Sequence, residues 1–166
     1  MRRRRCLLLL VLLCAYQLSW ADDAAYLREL ESRVVSPEAL APTCQLTWTV
    51  RPMLASATGA NQESLDMWSQ FWFGAAVKKE VLLAASSNIY STAAKINGVH
   101  VVSFYWVDTE RAKKFHAALA ERYSDAQHAF QVHDTTVVAM TNFEVSAECF
   151  GLIQRRISEA YARTLP

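Results

Sequence analysis

Histidines are the first side chains in this sequence whose chemistry could serve a reaction or a metal. The four of them are His100, His116, His128 and His133. An imidazole can ligate a metal ion or relay a proton near neutral pH. No two of these residues have the i,i+4 spacing of a helix pair or the i,i+2 spacing of a strand pair, so we predict no metal site. We expect scattered structural or surface histidines.

Asp108 is the carboxylate whose position is most typical of an active site, because it follows a predicted strand and precedes a predicted helix. An Asp at this place also accepts hydrogen bonds from the first backbone amides of the helix, and we interpret Asp108 as such a cap. The sequence contains no P-loop, dinucleotide-binding, zinc-protease, Cys-x-x-Cys or nucleophile-elbow motif. We therefore predict no cofactor and no catalytic residue, and keep an enzyme using Asp108 or a histidine in a cleft as an alternative.

Clustered aromatic side chains are the most unusual local feature. Large aromatic rings can stack on sugars, dock apolar ligands or lie at a membrane interface. The candidate ligand-binding residues are Trp68, Phe71, Trp72, Tyr105 and Trp106. The alternative is that the first three belong to a core helix, because two of these tryptophans have the spacing of a buried helix face.

Residues 1–21 have the pattern of a cleaved signal peptide. Arg2 to Arg5 are basic, the segment 6–18 is apolar, and Ser19-Trp20-Ala21 has the small-x-small pattern that a signal peptidase accepts. The apolar run is shorter than the roughly 20 residues that span a bilayer. We predict cleavage near Ala21 and a secreted or periplasmic protein, with a retained membrane anchor as the alternative.

Removal of this leader reverses the sign of the charge. The leader carries four of the 17 Lys and Arg and none of the 16 Asp and Glu, so 13 basic residues remain against 16 acidic ones and the net charge is about −3. Nucleic-acid binding needs clustered positive charge, so we predict no nucleic-acid partner. The expected partner is a small molecule or a protein of unknown identity. Membrane-surface association stays an alternative that we do not favour.

Two of the four cysteines remain after cleavage, and they form an even pair in an oxidising compartment. We predict a disulfide between Cys44 and Cys149, with two separate buried thiols as the alternative.

The elements that position these residues follow from periodicity and turn signals. Helices are predicted over 22–35, 63–77 and 109–124, with a fourth that opens at the capping box Thr141-x-x-Glu144. Strands are predicted over 45–51 and 81–85, and hairpins over 89–107, around Asn97-Gly98, and over 129–141.

The first hairpin has a definite predicted register. A two-residue Asn97-Gly98 turn pairs Tyr90 with Tyr105 and Lys95 with His100, which places His100 in solvent. Both faces of this hairpin are largely apolar. It should therefore be central and covered on both sides, or partly exposed for a ligand.

Together these elements predict one compact α+β domain over residues 22–166. Its sheet is mainly antiparallel, with about five or six strands and helices packed on it. The leading hypothesis for function is an exported, non-enzymatic binding or interaction domain whose ligand is unknown. The segment 99–104 followed by Asp108 matches only a generic strand-then-helix pattern, and we assign no family from it.

Overall fold

The computed structural model contains one sheet of five antiparallel strands, in the order β1-β2-β3-β5-β4. The model describes residues 25–40, 43–59, 61–75, 77–78, 80–94 and 97–163, without the side chains of residues 49–51. The strands are β1 (Thr47–Ser56), β2 (Leu82–Ser91), β3 (Gly98–Trp106), β4 (His128–His133) and β5 (Thr136–Phe143). The predicted α+β class is confirmed, whereas the predicted leader lies outside the described residues.

Helices cover both faces of this sheet. Helix α1 (25–32), a 3₁₀ turn at Pro37–Leu40 and α4 (Ala147–Ala162) lie on one side, here called the α4 face. Helices α2 (Gln62–Phe73) and α3 (Thr109–Arg122) lie on the other, here called the α2–α3 face. None of the described helices is long and apolar enough to cross a membrane.

Strand β3 contributes to two separate cores because its side chains alternate between the faces. Val99 and Val101 pack on the α4 face, whereas Val102, Phe104 and Trp106 pack on the α2–α3 face. Each large apolar side chain that leaves water contributes roughly 1.5–3 kcal/mol to folding. The prediction of a central hairpin covered on both sides is confirmed, and helices on only one face would leave half of β3 in water.

The predicted register of this hairpin is wrong. Tyr90 pairs with Val99 and not with Tyr105, and the last pair of the ladder is Ser91 with Gly98. The loop spans residues 92–97, and the Thr92 amide donates to the Asn97 carbonyl at 2.9 Å. A strand that begins at Leu82 offers a longer ladder than a two-residue turn at Asn97-Gly98 would allow. The shift is even, so each side chain keeps its predicted face.

Gly98 is required where this loop enters β3. A Cβ atom there would lie 2.3 Å from the carbonyl oxygen of Tyr90, which is too close for any side chain. The glycine of the Asn-Gly pair thus serves a close backbone approach rather than a two-residue turn.

The second predicted hairpin is present, with its turn at Asp134-Thr135 between β4 and β5. The predicted start of the last helix is wrong, because Thr141 belongs to β5 and pairs with both His100 and His128. Helix α4 begins instead at Ala147, with the Ser146 hydroxyl accepting from the Cys149 amide at 3.2 Å. Sheet pairing on two sides of Thr141 outweighs its local capping preference.

The predicted disulfide joins Cys44, which follows the 3₁₀ turn, to Cys149 in the first turn of α4. Their Cα atoms are 5.3 Å apart, and both residues are buried in the core of the α4 face. The bond therefore fastens the front of the domain to its last helix.

Loss of this disulfide should destabilise the protein without changing its fold class. Because the bond closes a loop of 105 residues, the chain-entropy model gives a loss of up to about 4–5 kcal/mol in the free energy of unfolding. Urea unfolding with and without a thiol reductant measures the effect, and the C44A/C149A variant should match the reduced protein. Equal stability of the oxidised and reduced forms would contradict the structural role.

Candidate functional site

The five aromatic candidates do not form one surface. Trp72 and Trp106 are fully buried and Trp68 is nearly so, all within the core of the α2–α3 face. Tyr105 lies on the α4 face, where its ring stacks on that of Tyr26 at 4.9 Å. Phe71 is 62% exposed. Phe71 lies at the edge of the buried side of α2, where its ring is 5.4 Å from that of Trp72 but stays exposed. Strand alternation separates Tyr105 from Trp106. Ligand binding by these residues stays a prediction.

Trp72 is the centre of an aromatic cluster that sequence spacing did not reveal. Its ring lies 6.5 Å from that of His100 and 6.0 Å from that of His128, and the rings of Phe71, Tyr123 and Phe130 lie around it as well. The two histidines are 28 positions apart in the sequence. In the sheet, His100 of β3 and His128 of β4 both pair with Thr141 of β5, which lies between these strands. Only the strand order β3-β5-β4 brings them together.

His100 does not face solvent, contrary to the prediction. It is partly buried beside Trp72, and its Nε2 atom lies 2.8 Å from the Ser87 hydroxyl oxygen. Burial lowers the pKa of His100 to about 4, so the imidazole is neutral near pH 7. The prediction was wrong because the observed register pairs His100 with Ile89 of β2. The predicted partner, Lys95, lies outside the described residues.

A serine hydroxyl within hydrogen-bond reach of a neutral imidazole is the arrangement of a nucleophile and its base. Ser87, however, is only 6% exposed, so its hydroxyl is inaccessible to a substrate of any size in this conformation. The pair therefore acts here as a satisfied polar contact inside the sheet. It could have been inferred from the sequence only with the correct register of β2 and β3.

His128 is oriented by an acidic neighbour at the rim of the same cluster. Its Nδ1 atom lies 2.7 Å from Asp125, which also accepts from the Gln127 amide at 2.8 Å. These hydrogen bonds hold the pKa of Asp125 below its usual value, and the one with His128 has the largest effect. Among the described residues, no three His, Cys, Asp or Glu side chains are close enough together to hold a metal ion.

Asp108 caps α3, as predicted. One carboxylate oxygen accepts from the Arg111 amide at 2.8 Å, and the other pairs with the Arg111 guanidinium. The hydrogen bond from the backbone amide is the main reason why the pKa of Asp108 is lowered. Both oxygens are thus engaged in starting the helix, which leaves Asp108 a poor proton acceptor for a reaction.

A second polar group, on the α4 face, was not predicted at all. The Arg33 guanidinium donates through Nη1 to the carbonyl oxygens of Ala160 and Arg163, at 2.5 and 2.6 Å. It also lies 5.5 Å from the ring centre of Tyr161, whose other neighbour is the stacked ring of His133 at 4.6 Å. A cation here complements the carbonyl groups that the last turn of α4 leaves unpaired.

Exposed apolar side chains occur together on the outer side of α2. Met67 is 57% and Phe71 62% exposed, and the spacing of four residues makes them neighbours on the helix surface. We call them the α2 apolar pair. Glu63, one turn before Met67, lies on the same side of the helix. The α2 apolar pair is the apolar part of this helix that remains accessible to a partner.

The core and the accessible parts of α2 should respond differently to truncation. Trp72→Ala should lower the free energy of unfolding by about 3–5 kcal/mol, because it empties a fully buried site. Phe71→Ala, its matched neighbour, should change it by less than about 0.5 kcal/mol. Chemical denaturation of both variants measures the difference, and similar losses for the two would contradict this division of the helix.

Acid should destabilise the protein through His100. Its pKa is about 4 in the folded state against 6.5 for an imidazole in water, so below pH 6.5 the unfolded chain binds a proton that the folded chain does not. The free energy of unfolding should therefore fall by about 2–3 kcal/mol between pH 7 and pH 4 from this residue.

Urea unfolding of the wild type and of His100→Gln at both pH values tests this expectation. The glutamine does not titrate but keeps a polar partner for Ser87. Its loss of stability in acid should be smaller by the stated amount. Equal acid sensitivity of the two proteins would show that His100 is not the group responsible.

Comparison with known proteins identifies a fold but no family. No family model matches the chain, and no curated protein matches it in sequence. Among solved structures, the chain is similar to the extracellular domain of PknH from Mycobacterium tuberculosis, with a TM-score of 0.54 and 9% sequence identity. The match covers 82% of this chain and 97% of that one. At this identity the likeness shows a shared fold alone.

Proposed function

We propose that this protein is an exported binding domain that contacts a partner protein through the α2 apolar pair. Export is supported by the leader pattern of residues 1–21, by the Cys44–Cys149 disulfide and by the fold shared with an extracellular domain. The single observation that carries the binding function is the exposure of Met67 and Phe71 next to each other.

This exposure is notable because the two tryptophans of the same helix, Trp68 and Trp72, are buried. Trp68 and Trp72 already provide the apolar contacts that attach α2 to the sheet, so folding does not require a phenylalanine on the outer side. Scattered exposed apolar residues are ordinary, but adjacent ones on one helix are typical of an interaction surface, where aromatic side chains and Met are enriched.

The charge around the pair indicates what kind of partner fits. Glu63 would repel the anionic surface of a bilayer, which attracts basic segments instead. In a symmetric dimer through this helix, the same patch would face itself, so Glu63 of one copy would meet a patch that Glu63 of the other copy borders. A partner protein that presents apolar side chains bordered by Lys or Arg satisfies both constraints.

The alternative of a small extracytoplasmic enzyme has one supporting observation, the Ser87–His100 hydrogen bond. We favour binding because the α2 apolar pair is accessible, whereas Ser87 is buried and His100 is partly buried beside Trp72. The protein needs no rearrangement to bind through α2.

A designed peptide tests the proposal directly. The probe is an amphipathic helical peptide with Leu on one face and Lys along its borders, and its control carries Glu in place of Lys. Protein purified after expression of the full chain should bind the Lys peptide at least about 10-fold more tightly than the Glu peptide. The M67S/F71S variant should lose about 10- to 100-fold in affinity, because the central apolar contacts of an interface carry most of its binding energy.

Val107→Ser provides the matched control, because Val107 is an exposed apolar residue outside α2. It should leave the affinity for the Lys peptide unchanged. Undiminished binding by M67S/F71S, or equal binding of both peptides, would contradict the proposal. If the wild type dimerises at high concentration and M67S/F71S does not, the partner is a second copy of this chain. If the wild type floats with anionic liposomes and M67S/F71S does not, the partner is a membrane.

A further inference from the structure

A small polar cavity lies on the opposite side of the sheet, between the α1 segment, strands β2 and β3, and helix α4. Its volume is about 10 Å³, which is room for about one water molecule. Its polar lining consists of Arg33, Asn88, Ser103, Tyr90 and Tyr161. The remaining lining is aliphatic.

Three buried polar atoms that belong to these lining residues have no hydrogen-bond partner in the described part of the chain. They are Nε of Arg33, Nδ2 of Asn88 and the hydroxyl oxygen of Tyr161. Burial raises the pKa of Tyr161 to about 12, and the neighbouring Ser103 side chain acts in the opposite direction. The hydroxyl groups of Tyr161 and Ser103 nevertheless do not form a hydrogen bond. A buried polar group without a partner costs free energy, so such groups are rare in native proteins.

The chemistry of the three atoms selects the occupant. The Nε–H of arginine and the Nδ2–H of asparagine can only donate, and the tyrosine hydroxyl can donate or accept. The Arg33 guanidinium cannot turn away, because its Nη1 is bound to the carbonyl groups of Ala160 and Arg163. An occupant must therefore accept at least two hydrogen bonds and be about the size of a water molecule.

We propose that this cavity is a binding site for a single water molecule, the small hydrogen-bond acceptor that fits its size. The occupant connects Arg33, which follows α1, to Asn88 of β2 and Tyr161 of α4. It thereby fastens the N-terminal segment to the sheet on the side opposite the α2 apolar pair, independently of the function proposed for that pair.

A crystal structure at about 1.5 Å resolution, from crystals grown in sodium bromide, tests the site. The expected result is electron density within about 3.5 Å of Arg33 Nε, Asn88 Nδ2 and the Tyr161 hydroxyl. Density without an anomalous signal at the bromine edge identifies water, whereas an anomalous peak there would identify bromide and contradict this assignment. An empty cavity, or side chains turned to bond one another directly, would overturn the proposal.

Tyr161→Phe gives a second test in solution, since it removes the hydroxyl and keeps the ring that stacks on His133. If the hydroxyl binds an occupant, its loss should lower Tm by about 3–8 °C. If the hydroxyl has no bound partner, its removal should leave Tm unchanged or raise it. That result would contradict the proposal of an occupied cavity.

Tyr90→Phe is the matched control, because the Tyr90 hydroxyl donates an ordinary hydrogen bond to the Val35 carbonyl at 2.6 Å. Its Tm should fall by a similar amount. The Tm of the wild type should be equal in sodium chloride and sodium acetate at equal ionic strength. A rise of Tm in chloride that Tyr161→Phe abolishes would indicate a halide and contradict the assignment to water.

Discussion

The burial of strand β3 on both faces is the constraint on which the rest of this structure depends. Alternate residues of the strand are apolar on each side, so neither face can be left in water. The chain therefore needs two helical layers, with α4 and the N-terminal segment on one side and α2 and α3 on the other. The central place of β3 in the sheet and the packing of its neighbours follow from this requirement.

The same constraint explains where polar chemistry can occur. Polar side chains of the central strands that lie in these cores need hydrogen-bond partners, and the partners differ between the two faces. On the α2–α3 face, His100 stays neutral and shares a hydrogen bond with Ser87. On the α4 face, Asn88 points its amide toward a cavity lined by Arg33 and Tyr161. Neither group arises from a sequence motif, because in each case the partners come from strands or helices distant in the chain.

Much of the architecture could be predicted from local patterns. Alternation identified the two-sided hairpin, a helical stripe identified α3, and Asp108 marked its first turn. The register of the β2–β3 hairpin could not be predicted, because the Asn97-Gly98 preference is local whereas the observed pairing is set by the full length of β2. Thr141 was misassigned for the same reason, since two neighbouring strands hold it in the sheet.

The sequence by itself determined the α+β class, because this class follows from short-range periodicity and turn signals. It also predicted, against open alternatives, the burial of β3 on both sides and the pairing of Cys44 with Cys149, both of which the structure shows. Tertiary structure alone decided which aromatic residues are accessible. Trp72 and Phe71 are adjacent in sequence and chemically alike, yet the orientation of α2 buries one and exposes the other. It also decided that His100 and His128 meet around Trp72, because strand order is a property of the folded sheet and not of residue spacing.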